Sequence, residues 1–322
     1  MRSAILGAVA AVVVLGGACC VAGAAPSTAA SGPMIIAHRA GAADFPENTL
    51  LAITNAVSSG VDGVWLTVQA SEDGVAVLYR PSDLATLTDG AGPVNSKTAG
   101  QLQQLNAGWN FTEPGVDGYP YRQRPTPIPT LEQAISAVPP DIALFLDLKQ
   151  TPAQPVVSAV ARVLNQTGAA ERATVYSTDA TITEAAAQQH LRVAESRDIT
   201  RQRLLDMALN HHCDPAPDPG KWAGFELHRS ITITEEFTLG VGTSKVDAQL
   251  WDPAAVECFK SGSPMNVMGF AVKTADDYQL AKKVGLDAVL VDSPREAHTG
   301  RDEQRAADDA RRRLDSAAGY QL

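Results

Sequence analysis

Residues 60–80 read GVDGVWLTVQASEDGVAVLYR, two apolar segments on either side of a turn that contains glycine. The first segment, GVWLTV (63–68), is rich in β-branched and aromatic residues and predicts a strand. The second segment, VAVLY (75–79), predicts a short antiparallel partner of that strand. Apolar segments of this kind recur along the chain, and their recurrence decides the fold class.

Seven further apolar segments have similar lengths and lie between stretches with helical periodicity. They are MIIAH (34–38), IALFLDL (142–148), ATVYS (173–177), LRVAES (191–196), VDAQLW (246–251), NVMGFAV (266–272) and AVLVD (288–292). Helices are predicted between most of them, including those within 47–60, 154–168 and 274–285. This alternation indicates a parallel sheet, and eight strands in 322 residues predict a single-domain α/β fold, a (β/α)8 TIM barrel. Catalytic residues are then expected at the C-terminal ends of the strands.

Two stretches and the C-terminal tail interrupt the alternation. Residues 106–129 are rich in proline, glycine and aromatic residues, and we expect this long connection to lie over the barrel mouth as a lid. Residues 211–245 are predicted to be irregular, and residues 301–322 to form a solvated helix. The barrel domain is assigned to residues 31–300, because no linker composition divides them.

The first 30 residues predict export. A single arginine is followed by an apolar run that ends near Val21 and then by small residues, which is the order of a secretory signal peptide with cleavage near 24–30. An uncleaved membrane anchor stays open, because the apolar run is almost long enough to span a bilayer. A lipid-modified cysteine at Cys19 or Cys20 is a second alternative. We therefore expect a secreted or cell-envelope protein.

The charge of the chain limits its partners. The formal net charge is -10 and the isoelectric point is near 5.1. An acidic chain has no extended basic face for a phosphate backbone, so we expect no nucleic-acid partner. An anionic small molecule would have to be met by a local basic pocket.

Two cysteines remain after the predicted signal peptide, Cys213 and Cys258. An even number of cysteines in an exported chain favours a disulfide, with two buried thiols as the alternative.

The apolar segments carry short polar motifs in a specific order. They lie in the stretches 35–79, PIPTLEQAI (127–135), LFLDLK (144–149), FAVKT (270–274) and GLDAVLVDSP (285–294). These stretches resemble the glycerophosphodiester phosphodiesterase family, whose pattern opens with His-Arg-Gly, continues with Pro-Glu-Asn-Thr on the first helix, and has a Glu-x-Asp strand and a His-Asp hairpin end. The resemblance implies a TIM barrel and a phosphoric diester hydrolase of lipid metabolism. Glu47 and Asn48, in the Pro-Glu-Asn-Thr motif, are expected to hold the first helix and the strand-end loop rather than to do chemistry.

The resemblance implies a role for polar residues at the ends of predicted strands. His38 would perform acid–base chemistry, since an imidazole changes its protonation near neutrality. Arg39 would bridge two phosphate oxygens through its planar guanidinium group. Lys149 follows Asp147 by two residues on one strand, so it would lie on the same face and add a point charge for the phosphate.

The sequence departs from the family pattern at the metal ligands. Trp65 and Thr67 stand where the family has two carboxylates that, with a third at the position of Asp147, hold a divalent cation. Calcium and magnesium need several oxygen ligands. We therefore expect no metal cofactor, with Asp147 as the one remaining family ligand.

The sequence also departs from the pattern at the catalytic end of the hairpin. Tyr79 stands in place of a second catalytic histidine, and Arg80 in place of the acid beside it. A tyrosine is a plausible proton donor but a poor base at neutrality, so Tyr79 is a candidate catalytic acid. Arg80 is a candidate substrate-binding group that would take over the charge role of the cation. Trp65 would either fill the floor of the cavity or offer a stacking platform to the substrate.

Two functions remain open. The first is an exported hydrolase of glycerophosphodiesters or phospholipid head-group diesters, which would release sn-glycerol 3-phosphate and an alcohol without a metal. The second is a catalytically impaired pseudoenzyme that binds a phosphate-ester ligand or a cell-envelope partner. The substitutions at Trp65, Thr67 and Tyr79 favour the second.

Overall fold

Seven parallel strands wrap into a nearly closed barrel within the part of the chain that the computed structural model describes, residues 32–261, 265–297, 299 and 301. Neighbouring strands around the barrel follow the order β5-β4-β2-β1-β10-β9-β6, and β3 pairs antiparallel with β2. The predicted TIM-barrel fold is therefore confirmed. The strands are β1 (Met34–His38), β2 (Gly63–Ala70), β3 (Ala76–Leu78), β4 (Ala143–Leu148), β5 (Ala173–Tyr176), β6 (Trp222–Glu226), β7 (Arg229–Phe237), β8 (Gly240–Ala248), β9 (Asn266–Val272) and β10 (Ala288–Val291).

Helices pack around the outside of this barrel. Most begin at a side-chain cap, such as Thr49 before α1 and Thr274 before α8, whose oxygen accepts a backbone N–H of the first turn. Their bounds are α1 (Leu50–Ser58), α2 (Ala99–Leu102), α3 (Leu131–Ser136), α4 (Ala153–Thr167), α5 (Ala180–Gln188), α6 (Arg197–Asn210), α7 (Pro253–Lys260) and α8 (Ala275–Val284).

The strands bury both of their faces, which explains their continuous apolar sequences. One face packs against the helices in a large aliphatic layer. The other face fills the barrel interior with larger side chains, among them Ile36, Trp65, Phe145, Tyr176 and Met268. Because the interior is packed solid, ligands can be bound only at the barrel ends.

The segment 191–196, which was predicted to be a strand, forms only a few backbone hydrogen bonds with the barrel, and these close the gap between β5 and β6. Val175 in β5 donates to the carbonyl of Arg192 and accepts from Ala194, and the Glu195 N–H donates to the Trp222 carbonyl in β6, each at 2.8 Å. The segment therefore links β5 to β6 although only an isolated bridge, Val175 to Val193, qualifies as strand pairing.

The prediction of a barrel strand at 246–251 is wrong. That segment overlaps β8, which pairs only with β7 in a separate two-stranded hairpin. The barrel position is taken by β6, whose five residues lie inside the stretch 211–245 that was predicted to be irregular. Glycine at position 224 lowers the strand propensity there, yet the Phe270 ring fills the space that a Cβ would need.

The predicted disulfide is confirmed. Cys213, in the connection between α6 and β6, is bonded to Cys258 in α7. The bridge spans 45 positions and ties the loop that precedes β6 to the outer helical layer.

The proline-rich segment 106–129 folds on its own side chains. Asn106 Oδ1 accepts N–H groups of Gly108 and Thr126, and the guanidinium of Arg122 lies between the rings of Trp109 and Tyr119 at 4.6 and 4.0 Å from their centroids. Part of the segment faces α1 across a groove of about 840 Å³. Its expected role as a lid stays a prediction.

Three predictions fall on residues that lie outside those described. They are the signal peptide of residues 1–30, the alternative cysteine modification, and the tail helix beyond Arg301. Within the described part of the chain, no helix has both the length and the hydropathy needed to cross a membrane.

Candidate active site

The candidate site lies where β1 and β10, the first and last strands of the barrel, run side by side. Ala37 is paired with Val291, so the next residues, His38 and Asp292, follow at the same barrel end. His38 Nδ1 lies 2.7 Å from Asp292 Oδ1. The hydrogen bond to His38 is the largest of the effects that hold the pKa of Asp292 below its usual range. The pair is therefore a carboxylate–imidazole dyad at the barrel mouth.

The tautomer of His38 follows from its second neighbour. Arg39 Nε donates to His38 Nε2 at 3.3 Å. A guanidinium group has no acceptor, so Nε2 must carry the lone pair and Nδ1 the proton that is given to Asp292. The acceptor nitrogen of the ring is thus directed at Arg39, on the cationic side of the site.

Glu47 joins the two arginines that the sequence assigned to substrate binding. Its Oε2 pairs with Arg39, and its Oε1 accepts from Arg80 Nε at 2.7 Å. The Glu47 side chain is only 9% exposed. The expectation that Glu47 holds only the helix and loop is therefore too narrow, because the carboxylate also positions Arg39 and Arg80 at the mouth.

Asn48 holds the strand-end loop, as expected. Its backbone N–H donates to the Arg39 carbonyl at 2.9 Å, and its Oδ1 accepts the N–H of Thr67 at 2.9 Å. Asn48 adopts φ of 59°, a left-handed conformation that asparagine tolerates better than most residues. The β1–α1 loop is thereby fixed to β2.

Asp147 and Lys149 meet as the two-residue spacing predicted. Lys149 Nζ lies 3.3 Å from Asp147 Oδ1, and the carboxyl group itself is buried. Burial raises the pKa of Asp147, and the charge of Lys149 opposes that rise. The ammonium group is partly exposed and also lies 3.4 Å from Thr178 Oγ1. Lys149 is therefore available to an anion at the mouth.

Trp65 forms the floor beneath these groups. Its ring stacks on Phe145 with centroids 5.9 Å apart, and meets Tyr176 at 4.9 Å and Phe270 at 5.5 Å. The residue is 4% exposed. Because its ring is enclosed by protein, the surroundings of Trp65 match the floor-filling alternative and leave no face for a stacked substrate.

Tyr79 is directed away from the dyad into a satellite core. Its hydroxyl lies 3.0 Å from the carbonyl oxygens of Asp83 and Leu84 and accepts the N–H of Leu87 at 3.3 Å. Burial raises its pKa to about 12. The structure does not bring Tyr79 together with His38, and the predicted role as catalytic acid is not carried forward.

The side chains around Asp147 do not fit a calcium or magnesium ion. Trp65 and Thr67, where the resemblance led us to expect carboxylates, offer an indole and a hydroxyl. Asp147 contacts a lysine, and both oxygens of Glu47 contact arginines. Among the described residues, no cluster of three His, Cys, Asp or Glu side chains could hold a metal ion.

Positive charge converges on the mouth instead. Arg39, Arg80 and Lys149 have side chains 21%, 37% and 30% exposed, so each can reach a ligand. Lys273, after β9, adds a charge close enough to lower the pKa of Asp292 further. Arg39, Arg80 and Lys149 are thus partly exposed cations at this barrel end, and each is paired with a carboxylate.

Two residues of the site escaped sequence reasoning. Asp292 ends the predicted strand 288–292, and the closure of a barrel places that strand beside the one that ends in His38. This adjacency was the signal that could have identified it. Tyr176 ends β5 next to Asp147 and has a buried hydroxyl without a hydrogen-bond partner in the described structure. No sequence signal distinguishes it from a core tyrosine.

The chain matches a protein-family model along most of its length. The model of the "Glycerophosphoryl diester phosphodiesterase family" matches residues 38–296. That range includes His38, Arg39, both residues of the Asp147–Lys149 pair and Asp292.

Individual relatives agree with this match. The uncharacterized protein Rv2277c of Mycobacterium tuberculosis is 74% identical over 287 residues, which is 89% of this chain and 95% of the relative. The crystal structure of its glycerophosphoryl diester phosphodiesterase domain superimposes with a TM-score of 0.79 and covers 84% of this chain and 99% of that domain. An Oleispira antarctica phosphodiesterase, crystallised with the product sn-glycerol-3-phosphate, is 22% identical, with a TM-score of 0.61 over 84% of this chain and 97% of its own. At that identity the likeness shows the fold alone.

Proposed function

Because this chain belongs to the glycerophosphoryl diester phosphodiesterase family, we propose that it hydrolyses phosphodiesters of the glycerophosphodiester class without a divalent cation. The products would be sn-glycerol 3-phosphate and an alcohol. The observation that carries this proposal is the dyad of His38 and Asp292 beside Arg39, since it provides a neutral base next to fixed positive charge.

The residues of the mouth divide the chemistry between them. Arg39, Arg80 and Lys149 bind the phosphoryl oxygens and stabilise the charge that grows on them in the transition state. His38 Nε2 accepts the proton of the attacking hydroxyl or water as the new P–O bond forms. Asp292 stabilises the resulting imidazolium, and ligand binding must first displace the Arg39 contact to Nε2.

The leaving alkoxide receives its proton from solvent in this proposal. Tyr79, the residue at the family position of the second histidine, is bonded to the 83–87 loop instead. Without a positioned donor, the rate should depend strongly on how well the leaving group bears negative charge. Aryl phosphodiesters should therefore be cleaved faster than glycerophosphocholine.

The proposed setting is outside the cytoplasm, as a secreted or cell-envelope protein. The signal-peptide pattern of residues 1–30 supports this location, as does the Cys213–Cys258 bridge, since disulfides persist in oxidising compartments. The expected ligand is then a small phosphodiester or a phospholipid head group rather than a nucleic acid.

The direct test is an assay of the chain without residues 1–30 on glycerophosphocholine and on bis(4-nitrophenyl) phosphate, with EDTA or with added Ca²⁺ or Mg²⁺. Turnover should be indifferent to EDTA and lost in His38→Ala. A matched control is His190→Ala, since His190 lies outside the site at the end of α5. Turnover that requires Ca²⁺ or Mg²⁺ would overturn the metal-independent proposal.

A second candidate function, a ligand-binding pseudoenzyme, is favoured by the position of Tyr79. A site with one acid–base residue can bind a phosphate ester through its arginines and still turn it over slowly. No turnover of either substrate, together with binding of glycerol 3-phosphate that Arg39→Ala weakens, would decide for this alternative.

A further inference from the structure

We propose that the hairpin of β7 and β8 docks on a zwitterionic lipid surface through its tip and so tethers the barrel there. The hairpin forms a separate two-stranded sheet, with nine residue pairs from Arg229–Ala248 to Phe237–Gly240. An isolated two-stranded hairpin is at best marginally stable in water, so a surface that covers it would stabilise it. This docking proposal depends on the proposed function in one respect only, which is the identity of the substrate that the docked protein would meet.

The hairpin is rooted at the mouth of the barrel. It follows β6 directly, and Arg229 at its base lies 3.1 Å from Glu226 Oε1, at the C-terminal end of β6. His228 Nε2 contacts Asp277 Oδ1, in the first turn of α8, at 3.2 Å. The other arm ends at Trp251, a buried residue whose indole donates to the Phe225 carbonyl. The hairpin therefore projects from the barrel end that carries His38.

The tip of the hairpin is apolar and fully accessible. The side chains of Phe237, Leu239 and Val241 are 62%, 100% and 64% exposed. They come from the last residue of β7, the turn, and the start of β8. Phe237 pairs with Gly240 and Val241 with Glu236, so Phe237 and Val241 lie on opposite faces, and the three side chains form a small knob around the end of the hairpin. The eight residues from Phe237 to Ser244, FTLGVGTS, include no charge.

The size of this knob argues against a protein partner. With Ile233 and Val246, which are 46% and 41% exposed further along the hairpin, the exposed apolar side chains offer on the order of 500 Å². This is less than the roughly 800 Å² that each partner buries in a stable protein interface. A lipid surface needs no such area, because shallow insertion of a few apolar side chains is sufficient for reversible binding.

The backbone of the tip suits the hydrated lipid interface rather than the hydrocarbon interior. β7 and β8 pair only with each other, so the pairing satisfies their inward-facing N–H and C=O groups, and the groups along both outer edges can bond with water or lipid head groups. Glu235 and Glu236 come just before Phe237, so insertion is limited to about 5 Å, the shallow end of the interfacial range.

The negative charge of the chain and of the hairpin favours zwitterionic over anionic lipids. The chain carries a net charge of -10, and the charges nearest to the tip are the two carboxylates of Glu235 and Glu236. Anionic lipids would repel such a surface, whereas phosphocholine or phosphoethanolamine head groups would not. Binding should therefore depend on apolar contact and change little with salt.

The test is flotation of the chain without residues 1–30 with phosphatidylcholine vesicles. The comparable domain of the 74% identical relative, which covers 84% of this chain, forms crystals without further domains. Wild type should float with the vesicles at low and at high salt. The double variant Phe237→Ser/Leu239→Ser should bind at least fivefold more weakly. Leu209→Ser on α6 is the matched control, since Leu209 is 76% exposed and should leave binding unchanged.

A second measurement keeps the proposal testable if the double variant misfolds. A polarity-sensitive dye attached to Leu239→Cys should shift its emission to shorter wavelength with vesicles, whereas the same dye at Leu209→Cys should not. Hydrolysis of a water-soluble diester, measured in parallel, should be unchanged by the tip substitutions. If the wild type binds vesicles and does not hydrolyse the diester, only the proposed function is overturned.

Three outcomes would overturn the docking proposal. The first is no binding of wild type to phosphatidylcholine. The second is binding that the tip substitutions leave intact. The third is a wild-type dimer, seen by light scattering, that the tip substitutions dissociate, which would assign the knob to a second copy of the chain.

Discussion

His38 and Asp292 are 254 positions apart in the sequence and 2.7 Å apart in the barrel, where the carboxylate holds the imidazole in one tautomer. The contact exists only because the first and last strands of the barrel are neighbours. It makes the last strand of the barrel a part of the candidate site that the N-terminal motif begins.

Asp292→Asn should therefore reduce turnover although His38 remains. An asparagine can donate to Nδ1 and so favour the tautomer in which Nε2 is protonated and no longer a base. By analogy with other carboxylate–imidazole pairs, kcat should fall by about 10²- to 10⁴-fold with little change in KM. Steady-state kinetics on bis(4-nitrophenyl) phosphate measures this, with the exposed Asp141→Asn as control. Equal kcat values in both variants would remove Asp292 from the mechanism.

Asp292→Asn should also make the free energy of unfolding less dependent on pH in the acid range. The pKa of Asp292 is lower in the folded protein than in the unfolded chain, so its contribution to stability is present above about pH 4 and is lost as the pH falls through and below that value. Asp292→Asn should lose less unfolding free energy between pH 7 and pH 3 than wild type. Urea unfolding at both pH values checks this.

Asp147→Asn should change the pH dependence in the opposite direction. Burial raises the pKa of Asp147, so its contribution to stability is largest at low pH and is lost as the pH rises through the raised value. Without this group, the unfolding free energy should fall more between pH 7 and pH 3 than in wild type. A change of the same sign as in Asp292→Asn would contradict the assigned environments.

Tyr79 and Tyr176, both buried, should respond differently to loss of their hydroxyl groups. Tyr79→Phe removes hydrogen bonds to the 83–87 loop and should cost about 1–2 kcal/mol of unfolding free energy. Tyr176→Phe removes a buried hydroxyl without a partner in the described structure and should be neutral or stabilising by about 1 kcal/mol. Urea midpoints of the two variants measured side by side decide this. A large loss in Tyr176→Phe would show that its hydroxyl is bonded in solution.

Glu47→Gln should destabilise the mouth. Glu47 is almost buried between Arg39 and Arg80, and a neutral amide would leave two guanidinium groups facing each other. The expected cost is about 2 kcal/mol of unfolding free energy, as for hydrogen bonds to charged groups. Glu72→Gln, at an exposed position, is the matched control. Equal unfolding curves for the two variants would show that the arginines are held by other contacts.

Removal of the Cys213–Cys258 bridge should lower the free energy of unfolding, because the unfolded chain gains conformational freedom. Closing a loop of 45 positions restricts the unfolded ensemble by about 4 kcal/mol in the chain-entropy model. The double variant Cys213→Ala/Cys258→Ala should therefore unfold at a lower urea concentration than the oxidised wild type. Reduced wild type should match the double variant. A loss below about 1 kcal/mol would mean that residual structure already restricts the unfolded chain.

The sequence patterns predicted strands correctly where both faces of the strand are buried. β1, β2, β4, β9 and β10 are buried on both faces, so their apolar segments stand out from the amphipathic helices between them. β6 has only five residues with a glycine at its centre, and the exposed hairpin that follows has the alternating pattern of a strand without belonging to the barrel. Local pattern cannot tell which sheet a strand will join.

Residue patterns predicted the barrel, favoured the Cys213–Cys258 disulfide, and supplied the residue types of a candidate phosphate site. The folded arrangement was needed to show that Tyr79 points into a satellite core, that Glu47 joins two arginines, and that Asp292 contacts His38. Residue types and spacing along one strand are local properties. Which side chains meet across strands depends on how the barrel closes, and that closure is a sum of packing interactions over the whole chain.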